Sequence, residues 1–304
     1  MNPIVGIGEV LWDVYPDGRK VAGGAPFNFA FHCHQLGHPA VIVSRVGDDD
    51  LGRELRARVR ELGLSDEYIQ TDREHPTGTV QVTLDANAVP TYTITENVAW
   101  DHIAWDEKLE ALATGARTIC FGSLSQRARG TRDTIHQIAR GPSMTSASTT
   151  RPLALFDINL RPPFYDRATI VDSLRRCDEV KLNHEELFKL VELLPLTQSG
   201  EEALTAELCT TYGLGLVCVT RGPAGALLAT PFELQCEPGV PAKVVDTVGA
   251  GDAFTAAMVC LHLEGRPLRE CARFANHYAA RVCEQPGGTP RIDRREVELA
   301  AFGK

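Results

Sequence analysis

Asp246-Thr247-Val248-Gly249-Ala250-Gly251-Asp252-Ala253-Phe254 is the stretch on which the reading of this chain turns. It follows a short β-like run, Lys243-Val244-Val245, and opens a helix. Phe254, Ala257, Met258 and Leu261 fall at i, i+3, i+4 and i+7, which gives that helix one buried face. Gly249, Ala250 and Gly251 put three small residues where the first N–H groups of a helix point outward without intrahelical partners. The helix dipole adds partial positive charge at the same place, and glycine lets a ligand approach the backbone, so the turn is suited to an anion such as phosphate. Asp252 changes the meaning. A carboxylate repels a bound anion, but it makes sense beside one if it must accept a proton from a hydroxyl attacking phosphorus. An acid in a first turn also complements the dipole without doing any chemistry. Spacing leaves both readings open.

Outward from this corner, short apolar runs alternate with amphipathic segments. Strands are expected at Ile4–Gly8, Ala40–Val46, Ala116–Phe121, Pro152–Phe156, Glu179–Leu182 and Leu214–Thr220. Helices are expected at Pro26–Leu36, Leu51–Leu62, Asp106–Ala113, Thr131–Ala139, Thr169–Arg175, His184–Leu193 and Glu201–Tyr212. Ala250–Leu263, Leu268–Cys283 and a last helix from Asp293 complete the set. Such alternation predicts an α/β fold with a mostly parallel central sheet and helices on both faces. Two stretches break the rhythm: Val10–Val21, with the turn Pro16-Asp17-Gly18, and residues 77–95, which alternate and carry a turn signal near Asn87. They predict a small antiparallel β flap inserted in the body. Ser143–Thr150 reads as a Ser/Thr-rich surface loop. With no repeat and no linker, the expectation is one domain over residues 1–304, with lid segments at about 10–22 and 77–100.

Composition narrows the function classes. The formal net charge is -9 and no Lys/Arg run occurs, which argues against nucleic acid as a partner. The nine cysteines form no C-x-x-C pair and read as reduced core residues of a cytoplasmic protein. No apolar run approaches the ~20 residues that span a bilayer, and the N-terminus reads as a strand rather than a signal peptide. A Walker A loop is missing, and Gly6-x-Gly8 lacks the third glycine of a dinucleotide fingerprint, which disfavours an oxidoreductase.

Asp246–Phe254 resembles the C-terminal signature of the PfkB family, the ribokinase-like carbohydrate kinases. Gly23-Gly24-Ala25-Pro26-Phe27-Asn28-Phe29-Ala30, followed by Leu36-Gly37, resembles the N-terminal signature of the same family. Weaker matches at Gly47-Asp48-Asp49, Asp157–Arg161, Asn183–Glu186 and Thr220–Gly225 extend the resemblance over nearly the whole chain. It implies a ribokinase-like fold and transfer of the γ-phosphate of ATP to a small sugar, with Asp252 as base and Gly249, Ala250 and Gly251 as the anion hole. Gly8–Asp13, Pro16-Asp17-Gly18 and Gly23–His32, together with Ala99-Trp100-Asp101, look most like the bacterial fructokinase-type members. 2-Keto-3-deoxygluconate is the runner-up substrate, ahead of ribose or nucleosides. A sugar- or nucleotide-binding regulator without turnover is the competing class, and intact Asp252 argues against it.

The remaining constellations each carry a plain structural alternative. Asp13 follows the first strand; by itself it is a turn acid, and the resemblance makes it a grip on sugar hydroxyls. Gly24 and Asn28 lie at a helix entry with Pro26 in its first turn, and the resemblance makes both sugar contacts. Asp157, Asn159 and Arg161 alternate at period two and are expected to share one face at a strand's C-terminal edge, where open α/β sheets bind ligands. Asn159 and Arg161 are the substrate candidates, with a structural salt bridge as the alternative. Asn183 and Glu186 have the spacing of a capping box; the resemblance makes them organisers of ATP and Mg2+, Glu186 through water. Thr220, Arg221, Gly222 and Gly225 read as a tight turn, and the resemblance lays that turn along the nucleotide, with Asn276 near the adenine. Asp246 matches a monovalent-cation (K+) ligand of some relatives. His32, His34 and His38 cluster in sequence without metal-ligand spacing. Trp100-Asp101 reads as a hinge or packing feature, with Asn97 a further sugar-facing option. The expected partners are a sugar and ATP, with no nucleic acid and no membrane, in a monomer or a homodimer joined through the lid.

Overall fold

The computed structural model describes residues 2–84, 90–141 and 151–303. The turn expected near Asn87 and the loop Ser143–Thr150 lie outside the described residues. Strands and helices are numbered below in chain order. Ile4-Val5-Gly6-Ile7 forms β1 (Ile4–Ile7), whose alternating side chains enter two cores: Ile4 joins one, Val5 and Ile7 the other. A Cβ on Gly6 would lie 2.3 Å from the carbonyl oxygen of Pro26, so bare backbone here lets a helix rest directly on the strand.

β1 pairs in parallel with β4 (Ala40–Gly47) and with β8 (Thr118–Gly122). Beyond β8 come β9 (Leu153–Asp157), β10 (Glu179–Asn183) and β11 (Leu216–Thr220), all parallel. β5 (Ile69–Asp72) pairs in parallel with β4 at one edge, while β12 (Ala226–Ala229) and β13 (Leu234–Glu237) close the other edge antiparallel. These nine strands run in the order β13-β12-β11-β10-β9-β8-β1-β4-β5. The helices α1 (Ala25–Gln35), α2 (Asp50–Glu61), α8 (Ala250–Leu263), α9 (Leu268–Cys283) and α10 (Arg294–Phe302) supply the core on one face. Those on the other are α3 (Glu107–Gly115), α4 (Arg129–Arg140), α5 (Arg167–Leu174), α6 (His184–Leu193) and α7 (Glu201–Tyr212). Carboxylates cap several starts: Asp49, Asp106 and Asp166 accept from Gly52, Leu109 and Thr169. α8 lies deepest, with every residue from Ala253 to Leu261 buried. Each of Phe254, Met258 and Leu261 contributes about 1.5–3 kcal/mol of apolar burial.

Four strands form a second, smaller sheet in the order β3-β2-β6-β7: β3 (Lys20–Gly23), β2 (Leu11–Val14), β6 (Thr79–Leu84) and β7 (Pro90–Ile94). Its two outer pairs, β2–β3 and β6–β7, are antiparallel, and they join along a parallel β2–β6 seam. Trp12, Ala22, Val80 and Val82 are buried beneath it.

Two local expectations are corrected. Lys243-Val244-Val245 is not a strand; Val244 and Val245 are exposed, and the N–H groups of Val245 and Asp246 donate to the Cys283 carbonyl at the end of α9. The alternation of Asp157, Asn159 and Arg161 also fails. β9 stops at Asp157 and Asn159 turns the chain with a φ of 43°, so the three do not share a strand face.

Candidate active site

α8 begins at the C-terminal end of the large sheet. Gly249 caps it with a φ of 75°, and a Cβ there would strike Gly288 Cα at 2.5 Å, so glycine is required on both counts. Ala250 N donates to Thr247 O at 3.3 Å. The N–H groups of Gly249, Gly251 and Asp252 have no protein acceptor among the described residues, which leaves them open to a ligand.

Asp252 sits in that turn and is only partly exposed. Its Oδ2 accepts from Asn28 Nδ2 at 2.8 Å, which ties the first turn of α8 to the first turn of α1. Burial, with the nearby Asp157 carboxylate, pushes the Asp252 carboxyl up to about 7. Asn28 is buried, and a Cβ on Gly288 would lie 2.8 Å from its Nδ2. The Gly287-Gly288 corner thus forms a wall of the same site, which sequence reasoning missed although the glycine pair was there to be noticed. Asp246 ties that wall down. Its Oδ1 accepts from Val248 N at 3.0 Å and its Oδ2 from Gly287 N at 2.9 Å.

Asp13 leaves β2 beside Gly23, where a Cβ would meet its Oδ2 at 3.0 Å. Burial raises the Asp13 carboxyl to about 6. Gly24 caps α1 with its backbone pressed against Glu9. Glu9 itself is buried, hydrogen-bonded to Ser125, and accepts from Ala25 N at 3.2 Å. This acid is a second feature that went unnoticed, because nothing local marks its partner 116 residues away. Arg161 is exposed, donates to its neighbour Leu160 O at 3.0 Å, and forms no ion pair among the described residues. Asn159 offers its carbonyl to Ser123 Oγ at 3.2 Å.

The expected nucleotide residues fall into two groups. Asn183 and Glu186 form the capping box, and Glu186 is fully engaged: Oε1 accepts from Leu160 N at 2.7 Å and Oε2 from Asn183 N at 2.8 Å. Thr220 ends β11, and Arg221, Gly222 and Gly225 form the turn after it, in which Arg221 Nη1 lies 3.6 Å from Glu201. Asn276 on α9 reaches this neighbourhood, since its Nδ2 donates to Pro238 O at 3.0 Å and residues 237–239 lie against Gly225.

Away from Asp252, a cavity of about 540 Å3 is lined by Asn97, Asp101, His102, Arg127, Phe164 and Asp166, among others. Trp100 and Asp101 are buried beside it, packed by Arg127. His32 hydrogen-bonds Tyr278 and Gly288 O, and burial lowers its pKa to about 4, so the histidine cluster yields a neutral core residue.

The family model for "pfkB family carbohydrate kinase" matches residues 14–294. The chain belongs to that family. This carbohydrate kinase is 30% identical to a fructokinase of Klebsiella pneumoniae over 83% of its own length and 82% of the relative's. A fructokinase of Xylella fastidiosa with bound ATP superposes with a TM-score of 0.85 at 22% identity, over 99% of this chain and 98% of that one. A fructokinase double mutant of Vibrio cholerae, solved with fructose, ADP and potassium ion, superposes with a TM-score of 0.80 at 24% identity, over 100% and 98% of the two chains. The kinase therefore has the ribokinase-like fold and is a phosphotransferase. No helix among its described residues is long and apolar enough to cross a membrane.

Proposed function

We propose that the kinase moves the γ-phosphate of ATP onto a hydroxyl of fructose, with Asp252 as the base. The observation that carries this reading is the turn itself. A carboxylate raised to about 7 stands in the same turn as three N–H groups without protein acceptors among the described residues. A sugar hydroxyl held by Asp13, Asn28 and Gly24 would give its proton to Asp252 as its oxygen attacks the γ-phosphorus in line with the departing ADP oxygen. The open N–H groups of Gly249, Gly251 and Asp252 would receive the charge on the transferring phosphoryl group. The turn at 220–225 and Asn276 would support the nucleotide, and the small sheet of β2, β3, β6 and β7 would close on the sugar and keep water out.

Mg2+ fits as a companion of ATP rather than as a resident ion. Among the described residues no three His, Cys, Asp or Glu side chains gather around one point. Both Glu186 oxygens already accept backbone N–H groups, so Glu186 and Asn183 would hold a hydrated ion, the state Mg2+ favours. When bound, Mg2+ neutralises phosphate oxygens. Asp246, which links residues 246–248 to Gly287, is the place where a K+ dependence would act, and turnover compared in KCl and NaCl tests it.

ADP release with fructose, 2-keto-3-deoxygluconate and ribose, for the wild type and Asp252→Ala, tests the whole reading. Turnover is expected with fructose and is expected to fall at least a thousandfold in the variant. Unchanged turnover in Asp252→Ala sinks the base assignment. Arg161, exposed and without an ion pair among the described residues, favours 2-keto-3-deoxygluconate as the second reading, because a guanidinium suits its carboxylate. In that case Arg161→Ala abolishes selectivity for the acid and leaves neutral sugars untouched.

A further inference from the structure

β10 reads Glu179-Val180-Lys181-Leu182-Asn183, and Lys181 is a lysine in an otherwise closed strand of a nine-stranded sheet. Its side chain is 10% exposed, which for a flexible ammonium needs a reason. Lys181 Nζ lies 3.1 Å from Asp157 Oδ1, and a Cβ built on Gly251 would also stand 3.1 Å from that nitrogen. The ammonium is therefore directly under the first turn of α8. Thr255 Oγ1, one turn further along α8, is 2.9 Å from Asp157 Oδ2 and 2.9 Å from Gly251 O, so its one proton serves two acceptors. A cavity of about 10 Å3 beside Lys181 and Thr255 has room for one water at most and no room for a hydrated counter-ion.

The charges that face this point come from several elements. Asp157 ends β9, Glu186 is on α6, Asp252 is on α8, and Arg161 lies in the loop after β9. Cys120 on β8 and Cys218 on β11 are neutral neighbours, and Glu179 on β10 lies 3.6 Å from His262 on α8. Asp157 and Asp252 thus stand at the turn proposed to accept a phosphate, and Glu186 faces the same ammonium, against Arg161 at the surface and Lys181 within. Removal of the buried cation would leave a site that repels the group it must bind.

We propose that Lys181 is a positioning residue for phosphoryl transfer: through Asp157 and Thr255 it fixes the first turn of α8, and its ammonium beneath Gly251 offsets the negative charge entering the anion hole. The proposal rests on the Asp252 reading above. Lys181 acts on the transferring group through the turn, not by contact with the sugar, so its loss belongs in kcat rather than in the sugar's KM.

Lys181→Met alone leaves Asp157 buried without its partner and is destabilised. The informative variant is Lys181→Met with Asp157→Asn, which removes the pair and keeps an acceptor for Thr255. With fructose and MgATP, the double variant is expected to melt close to the wild type, to keep the fructose KM within twofold, and to lose about tenfold to a hundredfold in kcat. In Lys181→Met, where it folds, the acid limb of kcat/KM is expected to move to higher pH, because the ammonium favours ionised Asp252. A double variant with wild-type kcat overturns the proposal, since Lys181 and Asp157 would then be a structural brace and nothing more. Asp252→Ala in the same assay separates the two ideas. If it is inactive while the double variant is fully active, only the role of Lys181 falls; if it keeps wild-type turnover, both fall together.

Discussion

Asp252 is kept in a state that costs the fold and would serve the proposed chemistry. Its carboxyl titrates at about 7 in the folded protein, against the ordinary aspartate value of ~3.9 in the unfolded chain. Below pH ~4 both states are protonated and nothing is lost. As pH rises toward 7, the unfolded chain sheds its proton more readily, so stability falls through that window and then levels off. Asp252→Asn removes the ionisation while keeping an acceptor for Asn28, and is expected to raise stability by about 1–3 kcal/mol at pH 8 and by little at pH 4, checked by urea unfolding. The same substitution would remove the proposed base. In the wild type, kcat/KM is expected to fall tenfold per pH unit below about 7, because only ionised Asp252 accepts the proton; a profile flat down to pH 5 would exclude it as the base. Asp252 and Asn28 could be picked out in the sequence because each lies in a local pattern, a glycine corner and a helix entry. Lys181 and Glu9 could not. Their partners, Asp157 and Ser125, are 24 and 116 residues away and arrive only through strand order.

Between elements, Arg127 is the joint that deserves a measurement. Its Nε and Nη2 each lie 2.8 Å from the Asp101 carboxylate, and Nη2 also donates to Thr95 O at 2.7 Å, just past β7. The guanidinium stacks 4.0 Å from the centre of the Trp100 ring and 4.8 Å from that of Phe164. Phe164 N in turn donates to Arg161 O at 2.8 Å. One side chain thus fastens the return from the small sheet to the loop that carries Arg161. Arg127→Lys keeps the charge but loses both the fork and the stacking. It is expected to raise the sugar KM about fivefold to tenfold and to leave the MgATP KM within twofold, because the turn at 220–225 is built from other elements. Equal rises in both would mean a general loss of stability instead. α7, α8 and α9 were legible in the sequence and begin and end at the expected residues, α9 by its strong apolar period and α8 as a helix buried from Ala253 to Leu261 rather than along one face. β5, β12 and β13 were not, since each has only four residues and is defined by an edge partner rather than by its own alternation.

At the scale of the whole molecule, the proposed site would be divided between two sheets that differ in how much they bury. The large sheet is covered on both faces, and α8 is buried along nearly its whole length. The small sheet covers only one face, its β7 edge is exposed from Thr91 to Thr93, and two of its pairings are antiparallel ribbons of four or five rungs. Few buried contacts and open backbone hydrogen bonds mark the part that opens most cheaply. Hydrogen exchange followed by mass spectrometry is expected to show fast exchange in β2, β3, β6 and β7 of the free enzyme. Saturating fructose should slow those amides at least tenfold, with β8 to β11 little changed, because the sugar would be gripped between Asp13 on the small sheet and Asn28 and Asp252 on the body. A nucleotide alone should do much less, since the residues expected to meet it belong to the large body. Fructose protection confined to the turn at 220–225 and the start of α9, with none in the small sheet, would remove the grounds for treating that sheet as a lid and would move the sugar to the other end of the cleft.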